Sequence, residues 1–417
     1  MRVVIVGAGV IGVCTAYYLN EMGCEVVVVE RNSGVAQEAS FGNAGVIAPG
    51  CVTPWAAPGM PRKILSYLLT KNSPVLLRPN LDPVFWRWVL LWLGQCKLDR
   101  YRINRERMQR IAFYSQAKLH ELRLRHALNY EQVQGYLQLF RTEKERMMAA
   151  PGIDLLREHG VAHHVLSPAE CHLQEPGLSE MPFDGGLHLP GDESGNCPLF
   201  TRYLKDITLS RGVRYDFNVD VTRLECAATG VTVQTERHAY LADAVVVAAG
   251  VASAALLRPL GIVLPLYPVK GYSASIGIKE PTYAPLASVM DEAYKVAMTR
   301  MGNRIRIAGT ADLGSRTLAP REGALRTLIK VVRDWFPGAA DYAQATFWTG
   351  VRPMLPEGAP LLGATRVPGL YLNLGHGSAG WAMACGSGKI VADVIAGHTP
   401  EIDLTGLTHE RYANSPR

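Results

Sequence analysis

Six residues near the N-terminus, Gly7-Ala8-Gly9-Val10-Ile11-Gly12, restrict the fold more than any other feature of the chain. They follow the β-branched run 2–6, which reads as a buried parallel strand, and precede residues 10–22, which read as a helix stopped at Gly23. Residues 25–30 (EVVVVE) supply a second buried strand and complete a βαβ unit. Gly7 makes the tight turn, Gly9 lets backbone approach a pyrophosphate, and Gly12 lets the helix pack on the strand. The helix N-terminus offers free N–H groups and partial positive charge to phosphates. Glu30 closes the second strand 18 residues after Gly12, where a carboxylate takes the ribose hydroxyls. An acid there argues against a ribose 2′-phosphate, hence against NADP.

At 417 residues the chain predicts two intertwined domains with a sizeable core. The net charge of +6 is spread without a long basic run, which excludes a nucleic-acid partner and leaves open a weak attraction to an anionic membrane surface. The eight cysteines form no Cys-x-x-Cys pair, so neither a metal site nor a disulfide framework is expected, in keeping with a reducing cytoplasm. The apolar run from Val3 enters the glycine motif directly, so no signal peptide is expected, and no stretch reaches transmembrane length.

Residues 40–60 read as loop, 84–128 as mainly helical, 152–160 as a helix and 184–198 (DGGLHLPGDESGNCP) as turn-rich. A helix over 198–211 leads to strands at 213–217, 219–224, 230–234 and 240–249. Residues 266–276 and 294–310 alternate apolar and polar positions, predicting antiparallel strands with a hairpin turn at 301–303. The C-terminal part returns to the first pattern: a strand at 370–374, a glycine-rich turn, then a helix to about 395. The expected fold is α/β plus α+β. A Rossmann-type dinucleotide domain (1–80, 184–262 and 345–417) is split along the chain by a mixed-sheet substrate domain (81–183 and 263–344).

Two distant segments favour FAD over NAD. A buried strand ends at Ala249-Gly250, and Gly375-His376-Gly377-Ser378-Ala379-Gly380 forms a turn between a strand and a helix. The N-terminus of that last helix would stabilise negative charge on a reduced flavin.

In these motifs the chain resembles the FAD-dependent D-amino acid dehydrogenases of bacteria, within the glycine oxidase and D-amino acid oxidase superfamily. The resemblance runs in order through Ser40–Gly45 (SFGNAG), 54–59 (PWAAPG), 137–141 (LQLFR) and 189–197 (LPGDESGNC). It continues through 267–273 (YPVKGYS), 291–300 (DEAYKVAMTR), 346–353 (TFWTGVRP) and 375–388 (GHGSAGWAMACGSG). The first of these departs from the expected small or polar residues at Phe41 and Gly42. The resemblance implies oxidation of a D-amino acid to an imino acid, which water hydrolyses to a 2-oxo acid and ammonia. Hydride passes from Cα to flavin N5, and positioning rather than a strong protein base supplies the acceleration. Electrons then pass to a quinone-type acceptor.

FAD contacts are expected from Val6 and the glycine motif, from Glu30 and Arg31, and from Ser40, Asn43, Ala44, Gly45 and Val46. Further contacts are expected at Val221, Ala249, Gly250, Gly350 and the turn 375–380. Arg352, between Gly350 and Pro353, is the expected carboxylate clamp, since a planar guanidinium holds a carboxylate with two parallel hydrogen bonds. A structural arginine bridging two loops is the alternative. Tyr272 and Tyr294 offer hydroxyls to the substrate or pack as ordinary strand tyrosines. Lys270 touches the flavin edge or ends its strand in solvent. His376 senses substrate ionisation and assists amine deprotonation, or donates to backbone in its turn.

The stretch 84–93 (VFWRWVLLWL) has three tryptophans, one arginine and no acid. It either lies on the cytoplasmic face of the inner membrane, with the protein otherwise cytoplasmic, or caps the substrate pocket. Two rival functions stand beside the first: a dehydrogenase of D-proline, 4-hydroxy-D-proline or an N-methyl amino acid, and a flavin-binding subunit of a larger electron-transfer complex.

Overall fold

The computed structural model describes residues 1–68, 73–78, 81–227, 230–315 and 317–412. The expected domain limits at 80 and 417 fall outside these residues. Arg2–Val6 and Glu25–Glu30 lie side by side and parallel at the middle of a six-stranded sheet. Its order is Leu361–Ala364, Leu370–Leu374, Ala244–Val247, Arg2–Val6, Glu25–Glu30 and Arg214–Phe217. Only the outermost strand, Leu361–Ala364, runs antiparallel to its neighbour.

Period-2 alternation divides the two central strands between two cores. Val3, Ile5, Val26 and Val28 enter a cluster with the helices Val10–Glu21, Cys197–Ser210 and Gly380–Ala396. Val4, Val6, Val27 and Val29 meet the antiparallel strands Val221–Ala227, Gly230–Thr235 and Ala239–Ala242 on the other face. Each fully buried valine contributes about 1.5–3 kcal/mol, so a one-residue slip in register would be costly on both faces at once.

The second sheet has ten strands. From Thr346–Met354 it runs through Tyr267–Gly277, Arg304–Leu313, Val296–Met301 and Ser288–Asp291 to Val133–Leu139, Gly186–Ser194 and Val46–Ile47. Val75–Leu77 adds to Arg304–Leu313, and His164–Leu166 adds to Gly186–Ser194. Helix Glu322–Trp335 covers one face with Ala324, Thr327, Leu328, Val331, Val332 and Trp335, spaced as one helical stripe.

Several local expectations change. The turn-rich 184–198 contains the nine-residue strand Gly186–Ser194, then feeds helix Cys197–Ser210 back to the first layer. Leu187 and Leu189 face inward, and the register with Val133–Leu139 shifts beside Pro190 and Gly191, so the ladder tolerates both. Residues 84–128 form two helices, Pro83–Gln95 and Leu98–His126, because the first packs on the ten-stranded sheet and the second on the dinucleotide helices. The helix expected at 152–160 begins at Glu143, where the Thr142 side chain caps it. The loop 40–60 holds the short strand Val46–Ile47.

Candidate active site

A cavity of about 380 Å³ opens where strands Arg2–Val6 and Glu25–Glu30 end, beside Ala248–Gly250 and Leu374–Gly377. The carboxyl edge of an open α/β sheet is where such folds bind ligands. Gly7 has φ +107°, and a Cβ there would meet the Ala248 carbonyl oxygen at 2.6 Å. A Cβ on Gly12 would come within 1.9 Å of the Gly7 carbonyl oxygen, which fixes how closely the helix rests on the turn. Ala8 N–H donates to Glu30 Oε2 at 2.7 Å and Asn32 N–H to Oε1 at 2.9 Å, so the carboxylate is locked at the cavity edge with lone pairs to spare. Ser40 Oγ accepts from Val10 N–H at 3.1 Å and thus sits at the positive end of the first helix. Arg31 Nε donates to Glu38 Oε1 at 2.8 Å, and both residues line the cavity.

The C-terminal return completes the cavity. Helix Gly380–Ala396 begins at its wall with no acid in its first turn. Its Gly388 packs directly on Cys14, where a Cβ would lie 2.8 Å from backbone. Two helix N-termini therefore face one cavity and make it favourable to anions. Asn373 Oδ1 and Trp381 Nε1 line it and are buried without a partner. Such orphans call for a bound polar group. The glycine cradle, the ribose-facing acid, the paired helix ends and these orphans fit FAD.

Of the expected contacts, Val6, Gly7, Gly9, Val10 and Ile11 form the wall with Glu30, Arg31, Ser40 and Asn43. Val221, Ala249, Gly250, Gly375, Gly377 and Gly380 do so from the distant segments. Ala8 and Gly12 stand behind the wall and shape it. Gly45 makes room for Met301, Val46 pairs with Ser194, and Ser378 Oγ accepts from Trp55 Nε1 at 3.2 Å. Ala44 and Ala379 also stand off the wall. Gly350 serves Trp348: a Cβ on Gly350 or Gly42 would overlap the indole at 2.0 Å.

Arg352 lies between the wall residues Val351 and Pro353 and crosses the sheet above Gly271. Its Nη1 donates to Thr310 O at 3.2 Å, and its guanidinium lies 5.8 Å from the Trp55 ring centre. Among the described residues it forms no ion pair. Burial pushes its pKa down to about 10, so it remains a cation at neutral pH. Thr310 is the extra residue of a β-bulge opposite Gly271/Tyr272, with φ +54°. A β-branched residue is strained there, by roughly 1–3 kcal/mol, and the bulge turns its carbonyl to the guanidinium.

The other substrate candidates do not reach this face. Strand alternation sends Tyr272 to the opposite face, into the cluster under helix Glu322–Trp335, where its hydroxyl donates to Asp312 at 2.8 Å. Lys270 shares that face, over the Tyr272 ring, with Nζ on the Ala319 carbonyl. Tyr294 lies beyond Val296, at the far end of that strand from Met301, and stacks with Arg141 at 4.8 Å. His376 does line the cavity but is 3% exposed, and its Nε2 pairs with Ser387 Oγ at 2.9 Å. Burial lowers its pKa to about 3, so the ring is neutral at physiological pH and a poor base for an ammonium group.

Sequence reasoning passed over Trp55, Thr310, Trp348, Asn373 and Trp381. Asn373 left a signal, as the one polar residue in a buried strand, LYLNL. The pairing of Trp348 with the remote Gly42 left none.

Residues 2–394 match a family described as DAO, FAD dependent oxidoreductase. The chain is 46% identical over 417 residues to D-amino acid dehydrogenase of Granulibacter bethesdensis, covering 99% of this chain and 100% of that protein. It is 44% identical over 416 residues to D-amino acid dehydrogenase 1 of Mesorhizobium japonicum, with 99% and 100% coverage. Among solved structures it shares the fold of glycine oxidase from Geobacillus kaustophilus, with TM-score 0.75, 24% identity and 98% of both chains covered. Iminodiacetate oxidase from Chelativorans sp. BNC1 has the same fold, with TM-score 0.73, 22% identity and 98% coverage of both chains.

Proposed function

The chain belongs to the family of FAD-dependent oxidoreductases, and from that premise we propose that it oxidises D-amino acids to 2-oxo acids and ammonia. The relatives carry the D-amino acid class by name. The observation that carries the reading is Arg352: a half-buried guanidinium on the strand between two residues of the cavity wall, Val351 and Pro353, held by carbonyls and, among the described residues, lacking an acid. An uncompensated cation in such a place favours an arriving carboxylate.

FAD, held by the glycine turn, Glu30 and the two helix N-termini, would supply the two-electron acceptor for a hydride from the substrate Cα. Arg352 grips the carboxylate and, with the Trp55 and Trp348 rings beside it, orients Cα and limits water. Because His376 stays neutral and engaged with Ser387, no protein base is assigned: the substrate enters with its amine unprotonated, or loses that proton to water. The imino acid then takes up water and releases ammonia. The two helix ends at the cavity favour the negative charge left by reduction. The electrons leave to a quinone-type acceptor.

The purified protein is expected to reduce an artificial dye with D-amino acids, to yield 2-oxo acid and ammonia, and to form little peroxide in air. Turnover of L- but not D-amino acids overturns the substrate class. Preference for D-proline, 4-hydroxy-D-proline or N-methyl substrates reassigns the amine contacts. Inertness toward all of them points to a flavin-binding subunit.

A quinone partner places the protein at a membrane surface. No helix of the described residues is long and apolar enough to cross a membrane. Helix Pro83–Gln95 buries Phe85, Trp88 and Trp92 beside Tyr267 and Met354, half-buries Val89 and Gln95, and exposes most of its other side chains. Trp86 is 46% and Leu90 68% exposed, with Leu91 and Leu93 alongside. Exposed Arg62, Arg87 and Lys97 flank this surface in the sequence, and Asp82 is the one acid between Val52 and Leu98. These features support interfacial binding to anionic lipid. Joint replacement of Trp86, Leu90 and Leu93 by serine, which spares the inward tryptophans, is expected to abolish flotation with anionic liposomes. Undiminished flotation of the folded variant rejects the contact.

A further inference from the structure

We propose that Arg306 is an electrostatic positioning residue of the flavin site, a cation held behind the loop 40–45 to favour the negative charge that reduction places on FAD. Arg306 is 7% exposed. It lies on strand Arg304–Leu313 opposite Ser275 and Thr299, on the same sheet face as Trp348 and Arg352. Its Nη1 donates to the Phe41 carbonyl at 2.8 Å, and its Nε is buried without a partner.

Among the described residues no carboxylate pairs with it. The neighbouring Arg304 adds like charge, although it is itself paired with Glu131 at 2.9 Å. Burial first, then Arg304, lowers the Arg306 pKa to about 10, so the group stays charged at neutral pH. Buried charges are ordinarily paired, because an unpaired one carries its full desolvation cost.

The place of this charge supplies the reason. Ser40 holds the phosphate-binding helix through Val10, and Asn43 forms cavity wall. Phe41 lies between them. Two residues of chain span about 7 Å at most, so the guanidinium lies within about 10 Å of the wall. A negative charge at that wall would, at an effective dielectric constant of about 20, feel an attraction larger than thermal energy. The inference uses only FAD dependence, and no particular substrate.

Arg306→Gln keeps a donor for the Phe41 carbonyl and removes the charge, whereas Arg306→Lys keeps the charge. The readouts are the affinity of the oxidised flavin for sulfite, which adds to electron-poor flavin, and the midpoint potential by dye equilibration. Both variants are measured at saturating added FAD, so weaker cofactor retention does not obscure the result. The glutamine variant is expected to bind sulfite about tenfold more weakly, with a potential about 30 mV lower, the tenfold equivalent for a two-electron couple. The lysine variant is expected within about twofold of the parent. Parental sulfite affinity in the glutamine variant, or equal weakening in both, shows that Arg306 acts only as a structural donor and overturns the proposal.

Discussion

Arg352→Met is expected to lower kcat/KM for a D-amino acid by about 100- to 1000-fold, chiefly through KM. Two hydrogen bonds to a charged group, taken at the lower end of about 1.5–3 kcal/mol each, amount to this. Arg352→Lys restores the charge without the fork and is expected to recover only part of the loss. The same substitution separates binding from architecture. Arg352 has no acid to leave behind, and its contacts are carbonyls at 3.2–3.5 Å. Methionine at that position should therefore leave the melting temperature unchanged or raised. A clear fall in melting temperature together with unchanged KM would show the arginine to be a brace between strands. Initial rates, with flavin content checked by absorbance, decide between the two.

Gly12→Ala should yield protein that emerges without flavin. The added methyl would lie 1.9 Å from the Gly7 carbonyl oxygen, and neither side of that contact is a flexible side chain. Helix Val10–Glu21 must retreat, which withdraws its N–H groups from the phosphates and opens its packing on the strand. Overpacking of this kind costs about 1–3 kcal/mol or more, so a lower melting temperature accompanies the loss. Gly94→Ala is the control. Nothing lies within 4 Å of its added methyl, and alanine in a helix is favoured over glycine by about 1 kcal/mol. Yellow, stable Gly12→Ala protein would disprove the close-packing role.

How much of this was legible in the sequence depends on whether the signal was local. The glycine motif, Glu30 and the strand LYLNL each carry their geometry within a few residues, and the structure places them as the spacing predicts. Arg352 was singled out from the glycine and proline near it; the structure places it on strand Thr346–Met354 beside the cavity wall, and its hold on a carboxylate is the proposal made above. Tyr272 and Lys270 were misplaced because alternation tells which residues share a face but not which face meets the cofactor. The bulge at Thr310, with its non-local partner strand, was also hidden. The strand 186–194 was obscured by Pro190 and Gly191, whose usual meaning as turn residues is overridden by a register shift against a strand some fifty residues away.

The place of Leu370–Leu374 in the first sheet bears on how the cofactor is acquired. That strand lies beside Ala244–Val247, which lies beside Arg2–Val6, and Asn373 Nδ2 donates to Thr15 Oγ1 at 2.9 Å. The phosphate-binding turn is thus made on the ribosome well before the helix that closes the opposite wall. A nascent chain released from the tunnel only as far as residue 360 has half a cradle and no second helix end. Flavin capture by the complete cavity therefore belongs after the helix Gly380–Ala396 has emerged, and a chain shortened before Gly375 keeps only the phosphate-binding turn and Glu30.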